Sequence, residues 1–70
     1  MKRLSQLKPG ETSKIIEIPL NSTFLLERGF YPEESISVVS YSPQKDKLVV
    51  DVSGSTWALE TKLCDLIIVQ

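Results

Sequence analysis

The stretch from Leu26 to Pro32, Leu-Glu-Arg-Gly-Phe-Tyr-Pro, constrains this chain more than any other. Gly29 suits the left-handed position just past a helix end, where a Cβ is strained. That arrangement places Phe30 to pack back on Leu25. Pro32 then opens a turn. The run Ser35-Ile-Ser-Val-Val-Ser-Tyr41 follows with period two, Ile36 and Val38 facing one way, Val39 and Tyr41 the other. Few small folds connect a short helix to a β-meander in this way.

The flanking segments extend the pattern. Pro9-Gly10 marks a turn, with Leu4 and Leu7 before it at one end of the core. Thr12 to Leu20 reads as a strand with Ile16 and Ile18 on its core face; Ile15 interrupts the alternation, through a bulge or through cover on both sides. Pro19 argues against continuing that strand in a sheet interior. Asn21 or Ser22 can cap a helix over Thr23–Arg28. After the Ser35–Ser42 strand, Pro43–Asp46 connects a hairpin to Lys47–Val52, where Leu48, Val50 and Val52 share a face. Ser53-Gly54-Ser55 turns into a strand over Thr56–Glu60, Thr61 caps a single helical turn, and Leu66–Val69 closes. The expectation is a mainly β protein: a small SH3-like barrel of about five antiparallel strands with a short helix after the first strand. Closure of the barrel protects edges that a flat sheet exposes. The expected core is Leu7, Ile16, Ile18, Leu25, Ile36, Val38, Leu48, Val50, Leu59 and Ile67, in one domain spanning residues 1–70.

Size and composition limit the function. At this length about 60% of the surface is buried on folding, so the core is thin. A small-molecule cavity of about 300 Å³ or more competes with it for space. Eight basic residues against nine acidic ones give a net charge of −1, against the basic face that nucleic-acid binding demands. Lys2, Arg3, Lys8 and Lys14 gather ahead of Glu17, Glu27, Glu33 and Glu34, an asymmetry that a solvated surface accommodates. A single cysteine fits a reducing compartment. Met1-Lys2-Arg3 lacks the apolar run of a signal peptide, and no stretch approaches a membrane span. A cytoplasmic protein without membrane insertion is expected.

Chemistry is scarce. With no histidine, the usual general base and the commonest metal ligand are missing. Cys64 sits among Leu63, Leu66 and Ile67, as a packing residue does. The three glycines form no phosphate-cradling loop, and Glu33-Glu34 offers too few oxygens for a hard cation. No catalytic, cofactor or metal site is expected. Tyr31, Tyr41 and Trp57 can line a peptide groove or pack at edges.

The positions Gly29, Pro32, Ile36, Val38, Val39, Pro43, Asp46, Leu48, Val50, Ala58, Leu59, Leu66, Ile67 and Val69 together resemble the FeoA family, small SH3-like accessories of bacterial ferrous iron transport. The resemblance runs from about Leu4 to Val69. Four positions depart from the family pattern: Arg28 stands for an apolar residue, Glu33 for the glycine of Pro-Gly, Lys45 for a hairpin glycine and Glu60 for a basic residue. The resemblance implies a non-enzymatic cytosolic accessory whose partner is the FeoB-type transporter. Its alternatives are a free copy of the SH3-like domain of a DtxR-type iron-dependent repressor, and a generic peptide-binding SH3-like adaptor. Docking is expected through the helix end and the following turn, at Arg28, Phe30, Tyr31 and Glu33, with Trp57 as a second candidate face.

Overall fold

The computed structural model describes all of residues 1–70. Two left-handed turns set its geometry. Gly29 (φ 91) ends helix α1, Thr23–Glu27, and Ser53-Gly54 (φ 50 and 79) joins strands β4, Lys47–Val52, and β5, Ser55–Glu60. Two consecutive positive φ values match the right-handed twist of a tight hairpin. The remaining strands are β1 (Lys2–Arg3), β2 (Thr12–Glu17), β3 (Ser35–Tyr41) and β6 (Ile68–Val69). A 3-10 turn, Leu4–Gln6, follows β1, and a one-turn helix α2, Thr61–Cys64, precedes β6.

All pairings are antiparallel, in the order β1-β6-β2-β3-β4-β5. Strand β2 changes partner halfway: Thr12–Lys14 pair with β3, and Ile15 and Glu17 with β6. The handover coincides with a bulge between Ile15 and Glu17. A bulge bends its strand, and here it curls the sheet around a core of fourteen buried apolar residues.

The bulge also corrects the expected core. Ile15 is fully buried, while Ile16 and Ile18 are only half-buried. One extra residue shifts the alternation and turns the other side of the strand inward. The other eight expected core residues are buried, joined by Leu4, Phe30, Val52, Cys64 and Val69. Six strands stand where about five were expected. The extra one, β1, is held by main-chain pairing of Lys2 with Val69 and Arg3 with Ile68. Both side chains are exposed, so no apolar period announces it.

Helix α1 is stopped as its sequence predicts. Phe30 N–H donates to Leu25 O at 3.0 Å, and Gly29 N–H to Leu26 O at 3.0 Å. These are the two bonds of a Schellman motif, with Leu25 and Phe30 as its apolar contact. The helix start differs from expectation. Asn21 takes a left-handed conformation (φ 60), and the Ser22 hydroxyl donates back to Pro19 O rather than capping. The Ser22 carbonyl instead receives Leu25 and Leu26 N–H.

Candidate docking surface

The end of α1 leans on the β4–β5 hairpin. A Cβ on Gly29 would lie 2.7 Å from Ser53 Oγ, so only glycine lets the helix end come this close. Ser53 Oγ in turn donates to Gly29 O at 3.2 Å and to Glu34 Oε2 at 3.1 Å. This contact carries Arg28 across to β5. Its guanidinium stands 5.2 Å from the Trp57 ring and 5.7 Å from the Phe24 ring, while Nη1 donates to Phe24 O at 2.8 Å. The guanidinium is thus held between two aromatic faces, an attraction of roughly 0.5–1 kcal/mol per exposed contact. No carboxylate pairs with it. The indole N–H of Trp57 is buried and donates to no group of the protein. A buried orphan donor costs about 1–3 kcal/mol.

Four of the five candidate residues reach the surface. Arg28 and Tyr31 are exposed, Trp57 is half-buried under Arg28, and Glu33 is exposed. Phe30 is 0% exposed and is removed from the docking set. The Schellman closure that makes Phe30 conspicuous in sequence also turns its ring into the core. The remaining four do not converge. Arg28 and Trp57 meet directly, but the Glu33 carboxylate faces Lys14 at 3.9 Å on β2. Both of those side chains are exposed, and such pairs contribute little. Glu33 itself holds φ 80, a conformation suited to glycine.

Sequence reasoning missed the exposed apolar residues of the helix before Arg28: Phe24, whose ring meets the guanidinium, and Leu26. The signal was present in a five-residue helix that buries only Leu25. Tyr41 belongs elsewhere. Its hydroxyl donates to Leu7 O, and its ring lines a small hollow with Ser5, Lys45, Leu48 and Thr61. The largest cleft, about 680 Å³, is open and lined by Met1, Lys2, Arg3, Gln6, Ile16, Glu17 and Ile68. Its polar groups do not converge on a point: Arg3 N–H already donates to Gln6 Oε1 at 2.8 Å.

Little acid–base or metal chemistry is available to these residues. No three Cys, Asp or Glu side chains gather to hold an ion. Burial, and then the charge of Asp65, push the Cys64 thiol up to about 12, which keeps it protonated and inert. At the β3–β4 hairpin the Ser42 hydroxyl bonds the Asp46 carboxylate at 2.7 Å and lowers its pKa. The surface around Arg28 can bury rings, stack a cation and donate hydrogen bonds; that is the chemistry of recognition. No helix is long and apolar enough to cross a membrane.

Known proteins share this architecture. Iron(II) transport protein A from Clostridium thermocellum superposes with a TM-score of 0.87 at 32% identity, over 100% of this chain and 44% of that one. FeoA of Stenotrophomonas maltophilia complexed with zinc, described as a prokaryotic SH3 domain protein, gives 0.81 at 23% identity, over 96% and 87%. IdeR of T. acidophilum gives 0.81 at 28% identity, over 97% of this chain and 32% of that one. No curated protein matches in sequence. The profile of the FeoA domain matches residues 2–70, which takes in both the curled sheet and the Gly29 helix stop. The chain therefore belongs to the FeoA domain family, SH3-like proteins linked to ferrous iron transport.

Proposed function

We propose that this protein is a non-enzymatic, cytoplasmic accessory of ferrous iron uptake that docks on the cytoplasmic part of a FeoB-type transporter and supports or regulates it. Family membership supports the transport context. The observation that carries docking is the exposed set of Arg28, Tyr31, Phe24 and Leu26 around one helix end. Tyrosine and arginine are favoured interface anchors. Arg28 already stands against the Phe24 and Trp57 rings, and groups placed before binding lose less freedom in it. Iron passes through the transporter in this reading; the role of this chain is contact.

The test is a pull-down with the transporter's cytoplasmic domain. Tyr31→Ala combined with Arg28→Glu is expected to weaken capture while the protein stays folded, its melting temperature lowered by the lost ring contacts of Arg28 at about 4–8 °C per kcal/mol. Undiminished capture by the folded double variant moves the contact off this surface. Absence of capture by the wild-type protein removes the docking reading. The likeness to IdeR favours a second reading, in which the domain packs within or against a metal-dependent repressor. Capture of such a repressor in place of the transporter domain decides for it.

A further inference from the structure

We propose that β5 is a recognition edge that takes up an extended segment of a partner protein as a further strand, with a carboxylate of that segment passing beside Trp57. This goes beyond the docking partner proposed above and holds for whichever protein carries the segment.

The first observation is a free edge. β5 is the last strand in the sheet order and has β4 on one side only. The two-residue turn at Ser53-Gly54 makes Val52 and Ser55 its closing hydrogen-bonded pair. By alternation Trp57 and Leu59 also bond toward β4, and the Thr61 N–H continues the series by donating to Asp46 O at 2.8 Å. Thr56 and Ala58 therefore aim their N–H and C=O groups away from the sheet, and Glu60 its N–H. Thr56 and Ala58 enter no backbone hydrogen bond outside the ladder, whereas the Glu60 C=O is taken by the first turn of α2 and leaves only its N–H free; all three residues are exposed. Helix α1 makes no main-chain bond to the edge, and α2 takes only the Glu60 C=O at its end. No proline, bulge or lysine in β5 blunts it, as protected edges commonly are.

The second observation specifies the occupant. A strand added through Thr56, Ala58 and Glu60 places one of its residues opposite Trp57 in a non-hydrogen-bonded pair, the closer kind. That residue lies on the face where Arg28 covers the indole. Arg28 brings a guanidinium without a carboxylate partner, and Trp57 an enclosed indole N–H without an acceptor. A carboxylate serves both once the guanidinium swings off the ring. The next residue on that face meets Leu59, which is buried, and is apolar. On the opposite face Asp51 accepts from Thr56 Oγ1 at 2.6 Å, and Glu60 stands about 13 Å further along the strand, opposite Lys47. Basic residues fit between them. The segment is thus extended and alternating, acidic and apolar inward, basic outward.

The probe is the peptide acetyl-Thr-Lys-Val-Lys-Asp-Thr-amide, titrated into the isotope-labelled full chain and followed by NMR. Trp57 is the only tryptophan, so its indole N–H gives one resonance. The amides of Thr56, Ala58 and Glu60 are expected to shift and to exchange about tenfold more slowly at saturation. The indole resonance moves with them. Replacing the peptide's Asp by Lys weakens binding roughly fivefold, the scale of one exposed charge pair, and Arg28→Glu reverses that preference. Ala58→Pro, which removes an outward N–H that the sheet does not use, abolishes binding; a thermal melt checks its fold, and the wild-type titration stands whether or not it folds. Three outcomes overturn the proposal. One is millimolar peptide that leaves the three amides unmoved. Another is equal binding of the Asp and Lys peptides. The last is protection of these amides that grows with protein concentration before peptide is added, which gives the edge to a second copy. The transporter pull-down is independent of all three.

Discussion

Single residues here carry meanings that their chemistry only half declares. Leu25 is the one buried residue of α1. Leu25→Ala is expected to cost about 2–5 kcal/mol, a cavity in a fully buried site, and urea unfolding checks it through the midpoint at constant slope. Cys64 reads as a packing residue in sequence, and its complete burial agrees. Its thiol stays protonated in the folded chain up to about 12, against 9.0 for an ordinary thiol. The unfolded state therefore releases its proton first as pH rises. The stability tied to Cys64 is complete below pH 9 and declines through the window from 9 to 12, by about 1.4 kcal/mol per unit at most. Alkaline urea melts of wild type and Cys64→Ala should thus converge or cross as pH climbs from 9, the wild type losing more. Parallel pH profiles refute the assignment. Phe30 shows the limit of residue-level reading. An aromatic next to an exposed turn looks like an anchor, yet the bond from its N–H to Leu25 O turns the ring inward.

At the scale of elements, local signals are legible where one turn of chain determines them. The helix stop, the β3–β4–β5 meander and the turn at Ser53-Gly54 follow from glycine, proline and period-two patterns within a few residues. Their docking against each other is not local. Gly29 is readable as a helix terminator, but its second duty, clearance from Ser53, exists only because the hairpin folds back onto the helix end. Gly29→Ala meets both a left-handed φ and Ser53 atoms at 2.7 and 2.9 Å. The φ alone costs about 1–2 kcal/mol. Adding Ser53→Gly, which removes both contacted atoms, should restore the steric part and leave the φ part. Equilibrium unfolding of the four-member cycle measures this as coupling between the two sites; additive losses contradict the contact. The β2 bulge failed to yield its direction for a similar reason. Ile15-Ile16 offers two equivalent apolar residues, and the partner strand β6, more than fifty residues away in the chain, selects Ile15.

As a whole, the molecule is a curled antiparallel sheet of 28 × 23 × 19 Å, filled by side chains and left with few polar groups that converge. That architecture suits contact better than chemistry. With no histidine and its thiol enclosed, the monomer is expected to give no stoichiometric micromolar heat with Fe²⁺ or Zn²⁺ in calorimetry. Tight one-to-one binding by the monomer contradicts this; ions bridging carboxylates of two molecules do not. The sequence by itself determined the fold class, the helix stop, the hairpins, most of the core and the family, because each rests on short-range periodicity, turn chemistry or a pattern of apolar positions. Tertiary structure alone decided which face of β2 turns inward, that Lys2-Arg3 pairs as a strand, that Phe30 is core, and that Arg28 lies over Trp57 beside a free edge. Those outcomes depend on which distant main-chain groups find partners and which are left without them, and side-chain pattern does not encode that pairing.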